Sequence, residues 1–208
     1  MPVIPLKSVK DKISFSYCDD GVSNTTLKHC EISFDEFSAE FKEPEIGAKD
    51  GSYLIIGKAS ERKNDELKTA DLLIIDADSS IDLDTGQVTE GAPDPVLIHE
   101  FLKNNLITHQ IYSSYSNVEK GHRFRIVIPA ELEDRDALKR CIAFIFLKFH
   151  EAGIALNNSK ENSIWSQAWY LSRVPEKYKD HYKYFHFNSG QTIDPAEIDN
   201  QTEAGSNT

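Results

Sequence analysis

Leu72-Leu73-Ile74-Ile75-Asp76-Ala77-Asp78-Ser79-Ser80 is the stretch on which the reading of this 208-residue chain turns. Four apolar residues run without a break into two carboxylates spaced i, i+2, followed by small polar residues. A short unbroken apolar run reads as a buried strand. Side chains alternate along a strand, so Asp76 and Asp78 project to the same side where it emerges from its sheet. Two carboxylates held that close repel each other unless a cation lies between them. The natural guest is Mg²⁺ or Mn²⁺, a hard ion that uses one or two carboxylates together with the phosphates of a substrate. The plain alternative is a strand running into an Asp-rich turn that binds nothing.

Composition narrows the partners. The net charge is −11, from 23 Lys and Arg against 34 Asp and Glu. That balance argues against broad, nonspecific binding of nucleic acid but leaves room for a local basic groove. With 27% charged and 39% apolar residues the chain has the make-up of a soluble globular protein. No apolar run nears the roughly 20 residues needed to cross a bilayer, and the N-terminus lacks a signal-peptide pattern. Cys18, Cys30 and Cys141 are odd in number, scattered and free of any CxxC. They read as reduced thiols of a cytoplasmic protein, not as a disulfide framework or a zinc site.

Outward from the central run, strands and helices mix without strict alternation, which favours an α+β fold. Residues 13–18 and 53–57 read as further strands. Ser33-Phe34-Asp35-Glu36 is a capping-box sequence that predicts a short helix from Ser33 to about Phe41. Residues 82–93 are polar, carry Gly86 and Gly91, and predict a loop or hairpin tip. Asp94-Pro95 sets an N-cap before a proline and predicts a helix ending near Asn104. Residues 107–113 and 123–129 read as two strands around a polar turn with Asn117 and Gly121. Leu138, Cys141, Ile142, Ile145, Phe146 and Phe149 fall on one face of a helix that Gly153 is placed to end.

Several separated stretches line up in order. Arg62-Lys63-Asn64 precedes the Asp76-Ala77-Asp78 strand, and a helix follows it. Then come Ile111-Tyr112-Ser113-Ser114-Tyr115-Ser116-Asn117, His122-Arg123-Phe124-Arg125-Ile126-Val127-Ile128-Pro129, Gln167-Ala168-Trp169-Tyr170-Leu171 and Gly190-Gln191-Thr192-Ile193-Asp194. The combination, spanning roughly residues 60 to 195, resembles the archaeo-eukaryotic primase superfamily, in particular the primase-polymerase domains of plasmid and phage replication proteins. The resemblance implies a primase-polymerase-like mixed or antiparallel sheet flanked by helices, and metal-dependent nucleotidyl transfer with Mg²⁺ or Mn²⁺. Asp76 and Asp78 would be the catalytic metal ligands. Ser116, Asn117, His122, Arg123 and Arg125 would meet the nucleoside triphosphate. The implied partners are nucleoside triphosphates, single-stranded or primed DNA and a replicative helicase, with no membrane.

The residues themselves support part of that assignment. Arg123 and Arg125 alternate with Phe124 and Ile126, so both face one side of a strand. A guanidinium fork donates two hydrogen bonds at once and suits phosphate. The bland reading of both arginines is a solvated strand face pairing with surface acids. Lys160, Arg173, Lys177, Lys179 and Lys183 form the one basic cluster that could follow a nucleic-acid backbone.

The chain also departs from the family pattern. The second motif's histidine is replaced near Ser116-Asn117, with His122 five residues on. The third acidic residue falls where Asn157 and Asn158 stand, making Asn158 a degenerate third metal position with Glu161 nearby. A catalytically inactive module binding nucleic acid or nucleotide is therefore the main alternative. An Asp-x-Asp phosphatase of the haloacid-dehalogenase kind or a glycosyltransferase comes third. The phosphatase reading leaves Arg123 and Arg125 unexplained. An EF-hand fails because Ile81 stands where the loop needs glycine. The expected organisation is one domain over residues 1–198, with 199–208 a disordered tail.

Overall fold

A computed structural model of the chain describes residues 4–21, 25–49 and 51–198; the expected tail at 199–208 lies outside the described residues. In chain order the main elements are β1 (Ile13–Cys18), β2 (Lys28–Ile32), α1 (Phe34–Ala39), β3 (Tyr53–Ile55), β4 (Ala70–Ala77), β5 (Ser79–Ile81), β6 (Val88–Glu90), α2 (Pro95–Asn104), β7 (His109–Ser113), β8 (Phe124–Leu132), α3 (Arg135–Glu151), β9 (Trp169–Tyr170) and β10 (Tyr184–Phe187). The protein is mixed α+β, as its patterning predicts, and its two four-stranded sheets are antiparallel throughout. Their strand orders are β10-β7-β8-β4 and β9-β3-β1-β2.

Local chemistry explains the helix boundaries. Ser33 and Glu36 form the expected capping box, in which the Ser33 N–H donates to Glu36 Oε2 at 2.9 Å and the Glu36 N–H to Ser33 Oγ at 3.2 Å. The helix stops at Ala39, two residues short of Phe41. Asp94 accepts from the Val96 N–H at 3.0 Å with Pro95 in the first turn, so α2 starts where the dipeptide predicts. Just past α2, Leu106 takes a φ of 56° at a position where glycine is usual, and β7 begins only at His109. On α3 the predicted apolar stripe is buried along its length, and Gly153 follows the helix with a φ of 75°. The polar 82–93 segment is the tip and return strand of the β5–β6 hairpin, where Asp82 Oδ1 accepts from the Thr85 N–H at 2.7 Å.

Register settles which side chains share a face. Asp76 pairs with Arg125, Arg125 with Tyr112, and Tyr112 with Tyr184. The opposite face of the same sheet presents Leu73, Ile75, Ile111, Ile126 and Ile128, and α2 and α3 cover it. His99 of α2 packs against His109 and Phe185, each at 5.1 Å between ring centroids, and Phe101 meets Phe149 of α3 at 5.3 Å. On the Asp76 face α1 takes the helical cover: Phe41 lies 4.6 Å from the Tyr112 ring, and Tyr184 Oη donates to the Ser38 carbonyl at 2.9 Å.

The two sheets meet along β4, where the Asp71 N–H donates to the Ile56 carbonyl at 3.0 Å and Asp71 Oδ2 accepts from the Ser14 N–H at 2.9 Å. A continuous buried cluster draws on both sheets and all three helices. Leu72 to Ile75 are almost wholly buried, and each such side chain contributes roughly 1.5–3 kcal/mol. A one-residue slip would turn Asp76 onto the face covered by α2 and α3, so this burial locks the register that aims the carboxylates. Among the described residues no helix is long and apolar enough to cross a membrane.

Candidate functional site

Asp76 and Asp78 do project to one side, and that side carries Arg125 and Arg123. Arg125 Nε lies 3.3 Å from Asp76 Oδ1, and Arg123 Nη1 lies 3.3 Å from Asp78 Oδ2. Two acid–arginine pairs thus stand next to each other at the end of β4 and the start of β8. Glu90, on the return strand of the hairpin, takes the other arm of Arg123 at 2.9 Å from Nη2. Arg125 Nη1 donates to the Tyr170 carbonyl at 2.7 Å, and its guanidinium carbon lies 5.9 Å from the Trp169 ring. The Trp169–Tyr170 strand of the second sheet therefore walls one side of the recess.

The charges are partly enclosed. The Asp76 and Asp78 side chains keep 28% and 32% of their surface, against 14% for Arg125 and 18% for Arg123. Burial pushes the Asp76 carboxyl above the ordinary carboxylate range; Arg125 and Arg123 pull it back, and Asp78 and Glu161 push it further up. For Arg125 burial works against the charge, but Asp76 and the tyrosines Tyr112 and Tyr170 hold its pKa above the usual arginine value.

The segment expected to supply a third acid does reach the site, by way of amides. Buried Asn162 accepts the Asp76 N–H at 2.8 Å through Oδ1, and its Nδ2 donates to Asn158 Oδ1 at 3.3 Å. Asn158 is exposed and is linked to the Asp76 backbone through Asn162. Asn157 Nδ2 donates to Ser79 Oγ at 3.0 Å, and that hydroxyl donates to Asp78 Oδ1 at 2.9 Å. Glu161 and Lys160 ride on the 3-10 turn Lys160–Ser163, which packs against β4. Among the described residues no three or more His, Cys, Asp and Glu side chains gather as a closed metal cage. Two adjacent carboxylates, one of them raised in pKa chiefly by burial, form an open donor set, which fits a hard divalent ion completed by water and a phosphate ligand.

The remaining predicted residues divide. Asn117 Oδ1 accepts the Arg123 N–H at 2.9 Å, so it shapes the turn that delivers Arg123. The Ser116 carbonyl closes the same turn by accepting the Lys120 N–H at 3.2 Å. His122 lines a cleft of about 460 Å³ with Asn117, Asp180, His181 and Lys183; Asp76, Asp78, Arg123 and Arg125 do not line it. Three of the five residues of the basic cluster lie beside remote acids: Arg173 pairs with Glu45, Lys177 with Glu119 at 3.0 Å, and Lys183 lies 4.0 Å from Asp94. Lys179 is exposed on the 3-10 turn Glu176–His181.

Two contacts of the site were not singled out from sequence, Glu90 and Asn162. The first depends on hairpin register, which sets Glu90 opposite Ser79. The second depends on a buried turn closing against β4, for which no local pattern exists. Among known proteins, no family model, no curated protein and no solved structure matches the chain.

Proposed function

We propose that the protein is a metal-dependent nucleotidyl transferase of the primase-polymerase kind, a replication protein of a plasmid or phage working in the cytoplasm. The observation that carries this reading is the double cross-strand arrangement, Asp76 opposite Arg125 and Asp78 beside Arg123, on one face of an antiparallel sheet. Asp76 and Asp78 would hold Mg²⁺ or Mn²⁺, which supplies activation of an attacking 3′-hydroxyl and neutralisation of the leaving pyrophosphate. Arg123 and Arg125 would exchange carboxylate for phosphate and orient a nucleoside triphosphate through their planar forks. Tyr170, through its carbonyl, and Trp169 would keep Arg125 in place during that exchange. The order of strands and motifs supports a primase-polymerase-like fold, with single-stranded or primed DNA as template and a helicase as working partner.

One observation favours the second reading, a catalytically inactive module that binds nucleotide or nucleic acid. Each carboxylate already has an arginine, and amides occupy the place of the third acid. Extension of a fluorescent primer in Mn²⁺ and in Mg²⁺, with all four nucleotides, separates the two readings when run beside the Asp76→Asn, Asp78→Asn double variant. Extension that disappears in the variant supports the transferase. Nucleotide or single-stranded DNA bound without extension supports the binding module, and absence of both extension and binding sinks both.

A further inference from the structure

Away from the acid–arginine pairs, a cavity of about 580 Å³ opens between the second sheet and α1. Its volume lies in the range that holds small molecules. Its floor is a largely buried aromatic cluster. Phe15 and Phe37 meet edge to face at 5.1 Å, Phe37 lies 4.9 Å from Phe41, and half-buried Tyr17 lies 6.4 Å from Phe15. Three glutamates, Glu36, Glu40 and Glu45, line it as well, and no lysine or arginine does.

The acids are only partly balanced within the fold, with Lys12 acting on Glu36 through charge. Glu45 is paired with Arg173. Glu36 uses Oε2 to accept from the Ser33 N–H and hydroxyl, which leaves its charge in place. Among the described residues the Glu40 carboxylate has no hydrogen bond or ion pair. Glu36 and Glu40 stand one helical turn apart on the same face, where like charges repel. Aromatic faces attract cations, more strongly when water is excluded. An anion would meet the Glu36 and Glu40 carboxylates, and a neutral guest would leave their repulsion unrelieved.

We propose that this cavity is a binding site for a small organic cation, an ammonium group carried on an aromatic or branched apolar body. The apolar part packs against Tyr17, Ile32 and Leu171, above the buried rings of Phe15, Phe37 and Phe41, and the ammonium group sits between Glu36 and Glu40 at the mouth. The site is independent of the transferase reading, since none of Asp76, Asp78, Arg123 and Arg125 lines it.

Cys30 supplies a local reporter. It lines the cavity and is partly exposed, whereas Cys18 and Cys141 are buried. The test titrates the full chain with 2-phenylethylammonium and with neutral 2-phenylethanol, following heat of binding and the rate of Cys30 alkylation by iodoacetamide. The cation is expected to bind saturably about tenfold or more tighter than the alcohol and to slow alkylation of Cys30. Glu36→Gln with Glu40→Gln removes the preference for the cation, and glutamine can keep the capping box with Ser33. Equal affinity for the two probes overturns the proposal, as does binding that leaves Cys30 unprotected. A preference that survives in the double variant, or no saturation by about 10 mM, overturns it too.

Discussion

Arg125 stands directly across the ladder from Asp76, with Nε 3.3 Å from Oδ1, and the same guanidinium donates to the Tyr170 carbonyl of the other sheet. The contact therefore ties the two sheets together as well as balancing a charge. Arg125→Met removes both links and leaves Asp76 facing Asp78 and Glu161 with Arg123 as its remaining counter-charge. Breaking such a partly buried pair from one side is expected to cost about 3 kcal/mol near pH 7. Adding Asp76→Asn should recover part of that loss, because no uncompensated carboxylate remains. Urea midpoints of the two variants check this; a double variant no more stable than Arg125→Met would remove the charge-pair explanation.

His109 gives the fold a defined acid sensitivity. Its Nδ1–H donates to the Ile107 carbonyl at 2.7 Å, so its Nε2 accepts from His99 Nδ1 at 2.9 Å. Protonation would set two N–H groups against each other. Burial pushes its pKa down to about 4, with His99 and His186 adding to the shift and the Ile107 carbonyl opposing it. The unfolded chain therefore binds a proton near pH 6.5 that the folded chain refuses until about pH 4. Stability is full above pH 6.5 and falls between 6.5 and 4, by about 3 kcal/mol in total. His99 and His186 are also depressed by burial and add slope of the same sign. His109→Gln should flatten the stability profile over that window. An unchanged slope in chemical denaturation across pH 4–7 would rule out His109 as its source.

What could be read in advance was local. The Leu72–Ile75 run, the Asp94-Pro95 cap and the α3 stripe each carry their signal within one or two turns or a single strand. The shared side of Asp76 and Asp78 follows from strand alternation alone. Arg123 and Arg125 sharing that side does too, but their being opposite the aspartates requires the β4–β8 register. That Arg173 and Lys177 of the basic cluster pair with Glu45 and Glu119 has no local signal, because those acids are remote in sequence. Asn162 was invisible because a buried side chain accepting one backbone N–H across the fold leaves no pattern.

Gly121 and Gly91 let two site loops touch. Both have positive φ, 80° and 90°, and a Cβ on Gly121 would lie 3.1 Å from the Gly91 Cα. Around that contact the Gly91 N–H donates to the Asp78 carbonyl at 3.0 Å, and the Ala92 N–H to the His122 carbonyl at 2.7 Å. Gly121→Ala adds left-handed strain of roughly 1–2 kcal/mol and pushes the Arg123 turn off the hairpin. A fall in Tm of about 3–6 °C is expected. A variant that melts with the wild type would show that the loops have room to part.

Glu161 and Asn162 are neighbours with opposite expected signatures. Glu161 acts on Asp76 through charge, raising its pKa, whereas Asn162 acts through a hydrogen bond to the Asp76 backbone. If a divalent ion sits on Asp76 and Asp78, Glu161→Gln should weaken Mn²⁺ binding by about tenfold, the usual scale for a supporting group. It should leave stability in the absence of metal nearly unchanged, since it removes a repulsion. Asn162→Ala strips the acceptor from a buried N–H and is expected to cost about 1–3 kcal/mol of stability. Calorimetric Mn²⁺ titration beside urea unfolding reads both variants. If Glu161→Gln binds Mn²⁺ as tightly as the wild type, while Asp76→Asn does not bind it at all, the aspartates hold the ion without a third carboxylate. If Asp76→Asn also binds undiminished, the carboxylate pair is a structural partner of the arginines and not a metal site.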